Sequence, residues 1–171
     1  PVKGGSLATL PDSVTEPFKD YKPNASISSW ALRWVASKPN VKVVLSGMTT
    51  MEQVEDNLST FENFTPLSLQ EKEIVADVAT AIKQRTKNGC TGCAYCMPCP
   101  FGVNIPQNFR IWNDLSMYEN KEQAKRAYFN DLEEDARADH CQKCGKCEEV
   151  CPQAMSIRDD LERVKEAMEN L

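Results

Sequence analysis

Cysteine is missing from this chain except in two short runs, and histidine occurs once, at His140. Thiols confined to two clumps do not suit a disulfide framework spread through a small secreted fold. No apolar stretch reaches the roughly 18 residues of a membrane-spanning helix, and no basic start with an apolar run marks a signal peptide. Positive charge is not in excess. The formal net charge is −5 and the pI is near 5.0, which argues against nucleic acid as a partner. An initiator methionine is absent too: the chain starts at Pro1 and runs straight into Gly4-Gly5, as the C-terminal part of a longer protein would. What is present, 171 residues with 41% hydrophobic and 26% charged content, is enough for one ordinary soluble domain or two small ones.

The two cysteine runs carry the chemistry. The first is Cys90-Thr-Gly-Cys93-Ala-Tyr-Cys96-Met-Pro-Cys99-Pro100, and the second is Cys141-Gln-Lys-Cys144-Gly-Lys-Cys147-Glu-Glu-Val-Cys151-Pro152. The second has the C-x2-C-x2-C-x3-C-P spacing of a bacterial-type [4Fe–4S] ligand set, in which the fourth thiolate crosses to the other cluster. Three thiolates on a short loop reach three irons, and the fourth iron takes its ligand from elsewhere. Proline then turns the chain away. Gly92, Ala94 and Gly145 let backbone amides approach inorganic sulfide. The expected pairing is therefore Cys90, Cys93, Cys96 and Cys151 on one cluster, with Cys141, Cys144, Cys147 and Cys99 on the other. The first run has only two residues before Cys99, where the usual spacing has three, so the partner of Cys99 stays open. Four thiolates also suit closed structural zinc, and His140 stands beside Cys141. Zinc sites usually pair two Cys-x2-Cys hooks, however, and eight thiolates leave His140 as a surface or supporting group. Thiolates that bind iron imply a reducing compartment, the cytoplasm.

Along the chain, Pro1 to Gly5 reads as a strand end entering a tight loop, followed by loop with a short helix near Ser13–Tyr21. Asn24 or Ser26 can cap a helix to about Ser37, with Ile27, Trp30, Ala31, Trp34 and Val35 on one face. Val41–Leu45 is β-branched and reads as a strand. Thr50 with Gln53, or Thr49 with Glu52, has capping-box spacing for a helix through Leu58, and Ser68 with Glu71 opens another to about Lys87. Its apolar positions include Leu69, Ile74, Val75, Val78 and Ile82. Asn88-Gly89 ends it. Helices are expected over Ile105–Leu115, Lys121 to about Ala138, and Ile157–Asn170.

These segments resemble a known family. Pro1-Val-Lys-Gly-Gly5, Ala31-Leu-Arg-Trp-Val35, Val44-Leu-Ser-Gly-Met48 and Gln53-Val-Glu-Asp-Asn57-Leu58 resemble the end of an aldo/keto reductase barrel. The run from Cys90 to Pro106 is similar to the ferredoxin-like extension on one branch of that family. The resemblance implies an α/β plus α fold: the C-terminal end of a TIM (β/α)8 barrel, then an α-helical ferredoxin domain. Residues 1–65 would be the last βα units, 66–87 a connecting helix, and 88–171 the domain with two [4Fe–4S] clusters. It further implies that Ser46, Gly47, Met48, Thr49 and Thr50 approach the adenosine phosphate of NADP(H) or NAD(H) in the intact protein. Gln53, Asp56 and Asn57 would lie on the adenine side. Gly47 or Met48 stands where many members have a basic residue, and Gln53 where arginine is common, so either nucleotide remains open. The same residues could simply cap and solvate a helix.

The family's catalytic Tyr, Lys, Asp and His lie in earlier strands, and neither Tyr21 nor His140 takes that role. The expectation is thus the C-terminal portion of an iron–sulfur, NAD(P)-dependent oxidoreductase, lacking catalytic residues of its own. Its partners would be the N-terminal barrel part and a redox protein. The competing expectation is that clusters, or zinc, only hold the helical extension together as a docking or assembly module.

Overall fold

A computed structural model describes residues 5–62 and 64–171. The chain falls into two compact units that divide between Gln84 and Arg85. The strand end expected at residues 1–4 lies outside the described residues.

The first unit is built from α1 (Asp12–Tyr21), α2 (Ile27–Ala36), α3 (Met51–Glu62) and α4 (Leu69–Gln84). Three of the four starts have a side-chain cap. Ser26 Oγ accepts the Ser29 N–H at 3.0 Å and caps α2. Thr50 and Gln53 form a capping box on α3, with Gln53 N–H to Thr50 Oγ1 at 3.4 Å and Thr50 N–H back to Gln53 Oε1 at 3.4 Å. Ser68 and Glu71 form a second on α4, at 2.8 and 3.2 Å. α1 packs on α4, and α2 on α3. The core gathers Val14, Phe18, Trp30, Leu32, Leu67, Val78 and Ile82. Phe18 stacks on Trp30 with ring centroids 4.5 Å apart, and Tyr21 meets Trp30 edge-on at 6.1 Å.

Val41–Leu45 corrects the expected fold. Among the described residues there is no strand. Val43 and Leu45 are 76% and 74% exposed. A strand is a paired object, needing a ladder of hydrogen bonds from a neighbour. No such neighbour is present among the described residues, so β propensity alone leaves this segment irregular. The architecture is helical, and the α/β barrel end is not what this chain forms. Two expected core positions also move outward. Trp34 is 40% exposed, with the Lys38 ammonium 4.1 Å from its ring centroid, and Leu69 is 80% exposed.

The second unit holds α5 (Ile105–Tyr118), α6 (Lys121–Lys125), the short α7 (Lys146–Glu149) and α8 (Ile157–Glu169). α5 packs against both α6 and α8. Val103, Ile105, Phe109, Ile111, Trp112, Ala124, Tyr128, Leu132, Ala138, Ile157, Leu161, Val164 and Met168 form one core. The expected long helix from Lys121 to Ala138 is broken instead. After α6 comes a π-helical turn, Arg126–Asn130, then two 3-10 turns. Arg137 gives the reason. Its guanidinium donates to the carbonyls of Tyr128 (3.1 Å) and Phe129 (2.8 Å), so a side chain occupies acceptors that a continuing helix would use.

Candidate metal centres

The two cysteine runs fold as the same object twice. In each, the residues two and four places after the first cysteine have left-handed backbone: Gly92 (φ 71°) and Ala94 (φ 63°), then Lys143 (φ 53°) and Gly145 (φ 84°). This turns successive thiols towards one side and costs least at glycine. In each, the N–H two residues on donates to the first sulfur, Gly92 to Cys90 Sγ and Lys143 to Cys141 Sγ, both at 3.4 Å.

The equivalence continues beyond the last cysteine. The Gly102 N–H donates to the Cys99 carbonyl at 3.1 Å, and the Ala154 N–H to the Cys151 carbonyl at 3.0 Å. Both turns end in positive φ, 86° at Gly102 and 48° at Ala154. Each then delivers the chain, three residues later, to a buried isoleucine opening a helix: Ile105 for α5 and Ile157 for α8. The signal is in the sequence as Cys-Pro-Phe-Gly-Val-Asn-Ile and Cys-Pro-Gln-Ala-Met-Ser-Ile. Cysteine spacing alone missed it. The cysteine spacing of the runs differs between the third and fourth cysteines, where the first has one residue fewer and carries the cis Met97–Pro98 bond.

Two cavities lie against these loops. One is lined by Cys90, Cys93, Cys96 and Cys151. The other, about 300 Å³, is lined by Cys141, Cys144, Cys147, Cys99 and Cys96. The first is much the smaller, about 20 Å³. The first cavity thus has three thiols of its own run and the last thiol of the other on its wall, and the second has three of its own run with Cys96 and Cys99 of the other. Cys96, Tyr95 and Ile105 line both. All eight cysteines are free thiols; Cys93 and Cys144 are exposed, and the others are half-buried. Cys90, Cys96, Cys99, Cys141, Cys147 and Cys151 pack on the core. Among the described residues, no group of three or more His, Cys, Asp or Glu side chains is placed to hold a single metal ion. A lone zinc would draw its sulfurs to about 2.3 Å. Thiols spread around the walls of a cavity are the donor set of a larger, thiolate-bound group, and in kind and number they fit [4Fe–4S] clusters.

Burial pushes the Cys147 thiol up to about 11, with the Glu148 carboxylate adding to it, and burial also raises Cys96. A free thiol here keeps its proton at neutral pH, so ligation has to displace it. The second loop is fastened to α8. Glu148 takes the Arg158 backbone N–H at 2.8 Å and its Nε at 2.9 Å, and Lys143 Nζ lies 2.8 Å from Glu162. On α5, the buried Asn108 donates from Nδ2 to the carbonyls of Asn104 and Ala136, both at 2.8 Å. His140 lines neither cavity; its Nε2 sits 3.9 Å from Asp139.

In the first unit, Ser46, Gly47, Gln53, Asp56 and Asn57 line a cavity of about 280 Å³ with Gly5, Leu7 to Thr9 and residues of α2. Asp56 accepts from Ser26 Oγ (2.7 Å) and Ser28 Oγ (3.0 Å), and Asn57 donates to Ser46 Oγ at 3.1 Å. Met48, Thr49 and Thr50 do not line it. The Thr49 N–H donates to Gln53 Oε1 at 2.7 Å, so this pair serves the start of α3.

Two family models match the chain: the aldo/keto reductase family over residues 15–79, and the 4Fe-4S dicluster domain over residues 89–156. No curated protein and no solved structure matches it. The aldo/keto reductase match rests on sequence and stands beside a helical structure. The chain is therefore similar to the aldo/keto reductase family in its first part and to a 4Fe-4S dicluster domain in its second.

Proposed function

We propose that the second unit binds two [4Fe–4S] clusters and passes single electrons, as the iron–sulfur portion of an aldo/keto reductase-like oxidoreductase. Cys90, Cys93, Cys96 and Cys151 hold one cluster; Cys141, Cys144, Cys147 and Cys99 hold the other. The observation that supports this is the sharing of thiols between runs at the two cavities. When bound, such clusters supply one-electron chemistry at potentials set by charge, hydrogen bonds and exposure. This chain's residues deliver the thiolates, point the amides of Gly92 and Lys143 at sulfur, and bury the inner faces against α5 and α8.

Nicotinamide moves a hydride, two electrons together. The clusters therefore serve a separate redox partner protein, and the hydride step belongs to the intact enzyme's own catalytic groups. The cavity beside Ser46, Gly47, Gln53, Asp56 and Asn57 is where the adenosine end of NADP(H) or NAD(H) would bind in that enzyme. Met48, Thr49 and Thr50 would adjoin it. Iron-binding thiolates support a reducing compartment such as the cytoplasm.

Low-temperature EPR with iron and sulfide analysis, on dithionite-reduced protein handled without air, tests the reading. About eight irons and eight sulfides with a coupled S = 1/2 spectrum are expected. Zinc, or iron that dithionite does not reduce, would move the thiols to a structural role. The packing of six named thiols on the core favours that second reading, because removing the metal would then unfold the unit.

A further inference from the structure

The two sites share a backbone but not what stands behind the first thiol. The Cys141 N–H donates to a main-chain carbonyl, that of Ala138, at 3.1 Å. The Cys90 N–H donates to a side chain, Asn88 Oδ1, at 2.8 Å. Asn88 is buried and every polar group it offers is engaged in this network. Its backbone N–H donates to Asn113 Oδ1 (3.0 Å), its carbonyl accepts from Asn113 Nδ2 (2.9 Å), and its Nδ2 donates to Asp160 Oδ2 at 2.6 Å. Asn113 belongs to α5 and Asp160 to α8, so one asparagine ties both helices to the start of the first loop. Asn88 and Asp160 lie outside residues 89–156, and the dicluster match does not account for them.

We propose that Asn88 and Asp160 hold the Cys90 site at a lower reduction potential than the Cys141 site. This rests on the two-cluster reading above. The Asp160 side chain is only 14% exposed. Its carboxylate draws on the Asn88 amide, which enriches Oδ1 and holds the Cys90 N–H away from sulfur. A nearby negative charge disfavours an added electron, and so does an amide turned from sulfur; because the Cys141 N–H is likewise turned to a carbonyl, the Asp160 charge is what sets the two sites apart. Arg163 Nη1, 3.0 Å from Asp160 Oδ1, offsets part of that charge from an exposed position. No charged side chain lines the first cavity. The second is lined by Lys146 and Arg158, of which Arg158 is paired with Glu148 at 2.8 Å. The exposed Lys146 favours the reduced state there. Asn88 and Asp160 are positioning residues: Asn88 touches Cys90's backbone and Asp160 touches Asn88.

The test is a redox titration followed by EPR on the full chain, reconstituted with iron and sulfide without air. Wild type is expected to reduce in two separate steps. Asp160→Asn keeps the hydrogen bond and removes the charge, so the lower step moves to more positive potential while the higher one stays. Asn88→Ala moves the same step in the same direction. Lys146→Gln, at an exposed position, moves only the higher step, downward. Iron content and circular dichroism equal to wild type show that each variant is loaded and folded. Loaded Asp160→Asn with unmoved potentials, or with both steps moving together, overturns the proposal, as does Lys146→Gln moving the lower step. Wild type that takes up no reducible iron overturns the two-cluster reading itself.

Discussion

Cys99 shares its cavity with Cys147 of the second run, while Cys90 and Cys93 of its own run line the other. Cys151 makes the reverse crossing. On the proposed assignment the unit is one interlocked pair of sites, each drawing on both runs. Removing one crossing thiol should empty one site and leave the other. Cys99→Ser should lose about four of about eight irons. Adding Cys141→Ser to it should cost no further iron, whereas adding Cys90→Ser should strip the remainder. Iron and sulfide per chain decide this; a Cys99→Ser loss that adds to that of Cys141→Ser would show the ligands are assigned to the wrong sites.

The repeated turn after each run makes unlike demands at matching positions. At Gly102 (φ 86°) a Cβ would come within 3.2 Å of the Asp135 carbonyl oxygen. Ala154 has φ 48° and already carries its Cβ in left-handed backbone. Gly102→Ala should destabilise the second unit by roughly 1–2 kcal/mol, from backbone strain and the close carbonyl. Ala154→Gly should change stability by no more than about 1 kcal/mol, since relieved strain opposes added chain entropy. Thermal unfolding of the two variants checks the contrast.

How much of this could be read from the residues depends on how local each cause is. Ser68 with Glu71, Thr50 with Gln53 and the Cys-x2-Cys-x2-Cys loops are decided within a few residues, and their signatures are in the sequence. The turns after Cys99 and Cys151 were equally local, but show only when the two segments are laid side by side. Val41–Leu45 fails because a strand depends on a neighbour the segment itself does not encode. Trp34 fails because α2 buries Ser29, Trp30 and Leu32, a face turned from the one its apolar spacing suggested. The break after Lys125 depends on Arg137, which no helical periodicity would reveal. For the candidate site, thiol spacing named the donors, while the Asn88–Asp160 contact joins residues far apart in sequence.

Trp30 and Trp34 separate packing from decoration on the same helix. Trp30 is 1% exposed and stacked on Phe18; its buried Nε1 has no hydrogen-bond partner among the described residues. Trp30→Ala should cost about 3–5 kcal/mol. Trp30→Phe should cost clearly less, because the ring stack survives and an unsatisfied N–H is removed. Trp34→Ala, which loses an exposed ring and its Lys38 contact, should cost below about 1 kcal/mol. Urea unfolding of the three variants gives the order, and a Trp34 effect equal to that of Trp30 would mean the exposed face is covered.

Glu71 should give the first unit an acid-sensitive step. Arg33 grips it with two hydrogen bonds, at 2.8 and 3.0 Å, while Lys22 donates at 2.6 Å and the Ser68 N–H at 2.8 Å. Burial alone would raise the Glu71 carboxyl, but these donors reverse that and bring it from 4.5 down to about 2. A folded value below the unfolded one means the stabilisation is fully present above about pH 4.5. It is lost as pH falls towards 2, where the folded carboxylate also protonates. Its size is on the order of 2 kcal/mol, after allowing for the solvent that reaches Lys22. Glu71→Gln should flatten the stability profile between those pH values. It should also cost roughly 3 kcal/mol at neutral pH, because Arg33 is left buried without its counter-charge. Urea titrations from pH 6 to 2, read by tryptophan fluorescence, would show this; an unchanged pH slope in the variant would mean another carboxylate carries the step.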